Sequence, residues 1–294
     1  MDYGKVFETM VSETQKYLEN NHLQAMILGI SGGLDSTVTA AICHEVEKRN
    51  PEIKFIGISL PCSSNTDAEN DSAKVCMKGF CKSGQWWTEN LQKEYMLMRA
   101  TCSQRHLMTT IGQGNIKARL RMTYLYNEAN YFKGLVMDTD NLTEHYLGFF
   151  TIHGDVCDFN PIGGLWKHEV YELAKWLLYN YYHNEMDGYI GMALRAAIGI
   201  TPTDGNGVND LGDMGQIAPV FAHDKNIDAY TKVDNIIKTY LYAIGQSSEV
   251  YDAAIEALYD EFDKETVDSI IWRIKSTEYK RKGLPVVIPH EKYG

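Results

Sequence analysis

The sequence predicts an α/β fold: a doubly wound parallel sheet flanked by helices, with a helical C-terminal part. Apolar runs too short for helices recur at 25–30, 54–60 and 134–138, the pattern of strands buried on both faces. Stretches with helical spacing separate them, giving βαβ units and a parallel sheet with right-handed crossovers. Past residue 160 the strand signals stop while helical patterns continue.

Taken in order, residues 3–20 place Val6, Phe7, Met10, Val11, Thr14, Tyr17 and Leu18 on one helical face. The run 25–30 is the first strand, and 35–48 a helix opened by Asp and hydroxyl residues. Strand 54–60 stops at Pro61. Helix 67–80, a short strand at 85–88 and helix 89–106 follow, then helix 114–132 with Ile116, Leu120, Tyr124 and Leu125 inward. The strand at 134–138 ends the sheet, and helices are predicted at 167–182, 189–198, 227–244, 248–262 and 264–279. The Gly- and Asp-rich stretch 201–216 has no period and reads as a loop of the kind that forms lids. We expect one domain over 1–294, with an N-terminal helix (1–23), a nucleotide-binding core (24–160) and a mostly helical remainder (161–294).

Composition narrows the function. With 28 Lys and Arg against 39 Asp and Glu, the net charge of −11 repels a phosphate backbone, so nucleic acid is not the expected partner. No apolar run approaches the roughly 20 residues that span a bilayer, and the first residues lack a signal-peptide pattern. Six cysteines without a CxxC pair suit reduced thiols in a cytoplasm. The histidines show no metal-ligand spacing, and the tyrosine-rich 177–189 stretch reads as core and subunit surface.

Between the first strand and its helix stands Ser31-Gly32-Gly33-Leu34-Asp35-Ser36. Glycines let backbone N–H groups wrap an anion at a helix N-terminus, and hydroxyls add donors: a phosphate cradle. It has neither the lysine of a Walker A loop nor a G-x-G-x-x-G pattern. Asp35 repels phosphate unless a cation lies between, which suggests magnesium.

SGGLDS resembles the pyrophosphatase loop of the adenine nucleotide alpha hydrolase superfamily, whose members cleave ATP between its α and β phosphates. Three further stretches, GNIKARLRMTYLY, MDTDNLTEHYLGFFTIHGD with DFNPIGGLWKHEVYELA, and STEYKRKGLP, resemble in this order the NAD synthetase family. The resemblance implies that the nicotinate carboxylate of deamido-NAD+ attacks ATP to release pyrophosphate, and that ammonia then displaces AMP. It places the ATP cradle on Gly29, Ser31, Gly32, Gly33, Asp35 and Ser36, with further ATP contacts from Thr139, Lys167 and Thr203. Asp35 and Glu144 become magnesium carboxylates, and Lys167 neutralises charge on the phosphates. Arg119, Asp158, Tyr279 and Lys280 fall on contacts to deamido-NAD+, and Asp155 on the catalytic aspartate that receives ammonium. The chain is one residue shorter there, so the roles of Asp155 and Asp158 stay exchangeable. Viewed alone, Arg119 and Arg121 are exposed helix charges and Glu144 a solvated acid in a polar loop. Ile152 replaces a family lysine, and Tyr279 a histidine.

Only about 23 residues precede the first strand, far fewer than the ~100 of a separate glutaminase domain, so free ammonia is the expected nitrogen donor. The family implies a homodimer with dinucleotide sites at the subunit interface. The rivals are another pyrophosphatase-loop enzyme, a GMP synthetase-like amidating ligase or a tRNA thiolase, and a catalytically dead nucleotide-binding module.

Overall fold

A computed structural model of the chain describes residues 1–62, 65–202 and 226–282. Thr203 and all but the first two residues of the predicted lid loop 201–216 lie outside the described residues.

Four parallel strands form one sheet in the order β3-β2-β1-β4: β1 (Ala25–Gly29), β2 (Lys54–Ser59), β3 (Trp86–Thr88) and β4 (Gly134–Val136). Ala25 pairs with Lys54 on one side and Gly134 on the other, which puts β1 in the middle. Alternation along the strands explains their continuous apolar sequence. Met26, Leu28 and Phe55 point into one buried cluster, while Ile27, Ile56 and Ile58 point into a second on the opposite face. Burying both faces is what makes the sheet doubly wound.

The first cluster packs against α1 (Tyr3–Asn20), α2 (Leu34–Arg49) and α3 (Asp67–Phe80). In α1 the Asp2 side chain caps the Lys5 N–H at 3.2 Å, and Phe7, Val11, Thr14 and Leu18 are buried. Of the predicted inward face, Tyr17 alone is exposed, against Phe159. The second cluster packs against α4 (Gln92–Cys102) and α5 (Thr110–Phe132); Leu125 is buried there, with Ile116, Leu120 and Tyr124 half-buried around it. Helix α4 starts later than predicted because residues 89–91 still run alongside the end of β2, the Glu89 and Leu91 N–H groups donating to the Ser59 and Pro61 carbonyls at 2.9 and 3.0 Å.

A short helix, α6 (Leu142–Leu147), occupies the segment read as a polar loop. Then α7 (Lys167–Trp176) runs into a π-helical turn, Leu177–Tyr181, so the predicted 167–182 helix is broken in its last part. The chain continues through α8 (Tyr189–Gly199), α9 (Asn226–Ala243), α10 (Ser248–Glu261) and α11 (Lys264–Ser276). Residues from α7 to α11 join the first cluster, so the helical part shares a core with the sheet. Among the described residues no helix is long and apolar enough to cross a membrane, and all six cysteines are unpaired.

Candidate active site

From β1 the chain moves outward to β2 and β3, then returns to the other side of β1 for β4. In open parallel sheets, a crevice forms where the strand order reverses, beyond the carboxyl ends of the strands. The loops leaving β1 and β4 meet there, on a cavity of about 450 Å³.

After β1, Gly32 adopts φ +81, where a Cβ would stand 2.4 Å from the Ala73 backbone nitrogen, so only glycine fits. Its carbonyl accepts the Ser72 hydroxyl at 2.8 Å, fastening the loop to α3. The Ser31 and Ser36 hydroxyls bond each other at 2.9 Å, and Ser31 Oγ accepts the Gly33 N–H at 3.2 Å. Helix α2 starts immediately after, so its unpaired first N–H groups lie beside this cradle.

After β4, Asp138 is buried and accepts the N–H groups of Asp140 at 2.7 Å and Cys157 at 2.8 Å, which bends the chain back toward β1. Asn141 then caps α6. Its side chain accepts the Glu144 N–H at 3.1 Å, while Glu144 Oε2 accepts the Asn141 N–H at 3.0 Å. The other Glu144 oxygen meets the Lys167 ammonium at 3.0 Å, and that ammonium also bonds Asp35. Asn141 Nδ2 reaches Asp35 as well, at 3.0 Å. Lys167, 2% exposed, therefore bridges the carboxylates that start α2 and α6.

Burial pushes the Glu144 carboxyl up, to about 7, with Lys167 pulling the other way. Asp140 is raised well above its ordinary range by burial and then by the charges of Asp138, Glu144, Asp155 and Asp35. Burial raises Asp155 too, although the Thr151 N–H, 2.8 Å from its Oδ2, favours the ionised form.

Magnesium fits this donor set. Among the described residues no three His, Cys, Asp or Glu side chains form a ready metal cage. A magnesium ion on nucleotide phosphates needs only one or two carboxylates, and Asp35 and Glu144 are the pair that would hold it, each with a second oxygen besides the one that meets the Lys167 ammonium.

The opposite wall is basic. Arg273 Nε donates to the Leu147 carbonyl at 2.8 Å and its guanidinium lies 4.0 Å from the Phe149 ring centroid. Lys280 Nζ donates to the carbonyls of Gly148 at 2.7 Å and Phe150 at 2.5 Å; Arg281, which does not line the cavity, backs this wall by donating from Nη1 to the Tyr146 carbonyl at 2.7 Å. Gly148, at φ +64, leaves no room for a Cβ against Thr277.

Of the sequence-predicted residues, Gly29, Ser31, Gly33, Asp35, Ser36, Thr139, Glu144, Asp155, Lys167 and Lys280 line the cavity, and Gly32 supports it from behind. Three do not line it. Arg119 donates to the Ile152 carbonyl at 3.2 Å; Tyr279 is 59% exposed. Asp158 is held by the Tyr126 hydroxyl and the Val136 N–H, both at 2.9 Å, so Asp155 alone of the two exchangeable aspartates faces the cavity. Arg121, read with Arg119 as an exposed charge, is half-buried, donates to the Leu60 carbonyl at 3.0 Å and lines the cavity. Sequence reasoning also missed Asp140, Asn141 and Arg273. The Asn141-x-x-Glu144 spacing carries a helix-start signal; a lone arginine in a C-terminal helix carries none.

Comparison with known proteins adds a family match, two relatives and two solved structures. A model of the NAD synthase family matches residues 6–180. An NH3-dependent NAD+ synthetase of Campylobacter jejuni subsp. jejuni is 33% identical over 184 residues, covering 60% of this chain and 69% of that relative. One of Methanosarcina acetivorans is 28% identical over 288 residues, covering 97% and 98%. Two solved structures share the fold. The NH3-dependent NAD synthetase from Campylobacter jejuni has a TM-score of 0.69 at 23% identity, covering 98% of this chain and 100% of that one. The NMN synthetase from Francisella tularensis has a TM-score of 0.72 at 21% identity, covering 99% of both chains.

Proposed function

The chain belongs to the NAD synthase family, and from that premise we propose that the cavity at the β1/β4 switch point is where it makes the amide of NAD+. It is a carbon–nitrogen ligase that uses ammonia and ATP. The observation that carries the site assignment is the Lys167 bridge between Asp35 and Glu144, set beside the glycine cradle at the start of α2.

A carboxylate resists ammonia until one of its oxygens becomes a good leaving group. In the first step an oxygen of the nicotinate carboxylate attacks the α phosphorus of ATP, and the bond to the bridging oxygen of pyrophosphate breaks. The departing pyrophosphate settles against the N–H groups at the start of α2 and the Ser31 and Ser36 hydroxyls. Lys167, reached from the start of α7, sits where it neutralises charge on the leaving oxygens. Magnesium, held by Asp35 and Glu144, supplies electrostatic neutralisation of the phosphates when bound. In the second step ammonia attacks the acyl carbon of the adenylate, AMP leaves, and the amide remains. Asp155, raised by burial and facing the cavity, binds ammonium and takes its proton.

Arg119 and Tyr279 lie outside the cavity at the surface. In this reading a second copy of the chain brings them to the dinucleotide, as the homodimer implied by the resemblance requires. A cytoplasmic setting, where ATP is made and used, belongs to the same proposal.

The test is to incubate the protein with ATP, magnesium and ammonia or glutamine, with deamido-NAD+ or nicotinate mononucleotide as acceptor, and to follow NAD+, AMP and pyrophosphate. NAD+ and AMP are expected in equal amounts with ammonia and deamido-NAD+, and far less with glutamine. AMP release without an amidated product, or preference for the mononucleotide, overturns the substrate assignment. Asp35→Ala is expected to abolish AMP release; retained turnover removes Asp35 from the magnesium site.

A further inference from the structure

We propose that Asp234 is the positioning residue that holds the Lys167 ammonium and the Glu144 carboxylate in register, by tying the first turns of α6 and α7 to α9. Asp234 is completely buried, yet it faces neither the cavity nor solvent. One of its oxygens accepts the Thr143 hydroxyl. The other accepts the His168 backbone N–H at 3.1 Å and His168 Nδ1 at 2.7 Å. A buried carboxylate is sustained by such a set of donors, and helix-start N–H groups are natural partners for it.

Hydrogen-bond direction makes the arrangement specific. A carboxylate only accepts, so the single Thr143 proton goes to Asp234, and the Thr143 oxygen is left to accept the Lys167 backbone N–H at 2.9 Å. Thr143 precedes Glu144 in the chain and His168 follows Lys167. One carboxylate thus grips the immediate neighbours of both charged groups, and none of Thr143, His168 and Asp234 lines the cavity. Lysine has a long flexible stem, so anchoring its backbone decides which atoms its ammonium reaches. One turn earlier on α9, the Tyr230 ring centroid lies 5.6 Å from the Lys167 ammonium and steadies its far end.

The inference rests on the reading of Lys167 as the cation beside the leaving pyrophosphate, and its test separates the two. Steady-state kinetics and thermal midpoints are measured for wild type, Thr143→Ser, Thr143→Val, Asp234→Asn and the double variant Thr143→Val/Asp234→Asn. Misplacing a catalytic group by an ångström or so costs up to about 100-fold. The expected result is a fall in kcat of about tenfold or more for Thr143→Val and for Asp234→Asn, with KM for ATP within about threefold of wild type. Thr143→Ser keeps the hydroxyl and stays within about twofold, and the double variant is no worse than the poorer single variant. An unchanged kcat in Thr143→Val, a loss shared by Thr143→Ser, multiplying losses in the double variant, or a loss confined to KM overturns the proposal. If Asp234→Asn fails to fold, the Thr143 pair decides alone. Crystal structures of wild type and Thr143→Val give a reading independent of turnover. The Lys167–Glu144 contact is expected to open beyond about 4 Å in the variant, and an unchanged contact overturns the tie even if the substrate assignment is itself wrong.

Discussion

Gly32→Ala tests whether the glycine cradle is set by the α3 backbone beneath it. At φ +81 an added Cβ would meet the Ala73 nitrogen at 2.4 Å, the Ser72 carbonyl carbon at 2.7 Å and Ala73 Cα at 2.9 Å, all of them backbone. No side chain can swing aside, so the loop must rise by about 1 Å to restore ordinary contact. The left-handed backbone costs a residue with a Cβ about 1 kcal/mol, and overpacking adds about 1–3 kcal/mol. We expect a loss of roughly 2–4 kcal/mol, read in a chain of 294 residues as a fall in Tm of roughly 3–7 °C. Lifting the loop also breaks the Ser72–Gly32 bond of 2.8 Å and moves the first turn of α2, which carries Asp35. A displacement of that size predicts a fall of about 100-fold in kcat for pyrophosphate release. Gly164→Ala, whose Cβ enters open space, is the control. A Gly32→Ala enzyme with wild-type Tm and turnover would refute the reasoning.

Acidity should stabilise the ligand-free protein. Glu144, Asp138, Asp140 and Asp155 all have carboxyls raised by burial, Glu144 to about 7. The folded state therefore holds these protons more tightly than the unfolded chain, and their contribution is lost as pH rises through the raised values. His145, at the surface, is lowered and works in the opposite sense, so the Glu144 carboxyl, raised to about 7, sets the window. Tm is expected to fall between about pH 5.5 and 7.5 and to fall less steeply in Glu144→Gln; a rise over that range would contradict the account. Asp155→Asn should cut turnover with ammonia by at least about tenfold. Exposed Asp158→Asn, which weakens bonds to Tyr126 and Val136 only, should cost about 1 kcal/mol of stability and little activity. Ammonia titrations of both variants check this, and equal kinetic losses would restore the exchange of roles.

The sheet was legible because a strand buried on both faces must be apolar throughout, as in Met26-Ile27-Leu28 and Phe55-Ile56. Helix α6 escaped because a six-residue helix has too few turns to show periodicity. The cradle could be read from Ser31 to Ser36 since its chemistry is local. Lys167 and Glu144 were placed by resemblance, and nothing in their local sequence says that they meet. Arg121 and Arg273 were misjudged or missed for a related reason: an arginine on a helix is a solvated charge by default, and only the fold turns these two toward the cavity. Asp234 is the extreme case, since its role depends on Thr143, 91 residues away in sequence.

The basic wall carries a consequence for how the molecule comes together. Arg273, Lys280 and Arg281 grip carbonyls between Tyr146 and Phe150 across 126 to 135 residues of chain. Contacts that distant close late, because the entropy of a long loop is lost before they return anything. A chain cut before Arg273 keeps all four strands and the cradle, yet leaves the carbonyls at the end of α6 without those donors. The part of the cavity lined by Arg273 and Lys280 then closes after the cradle that it shares a site with, so one pocket is put together at two stages of folding.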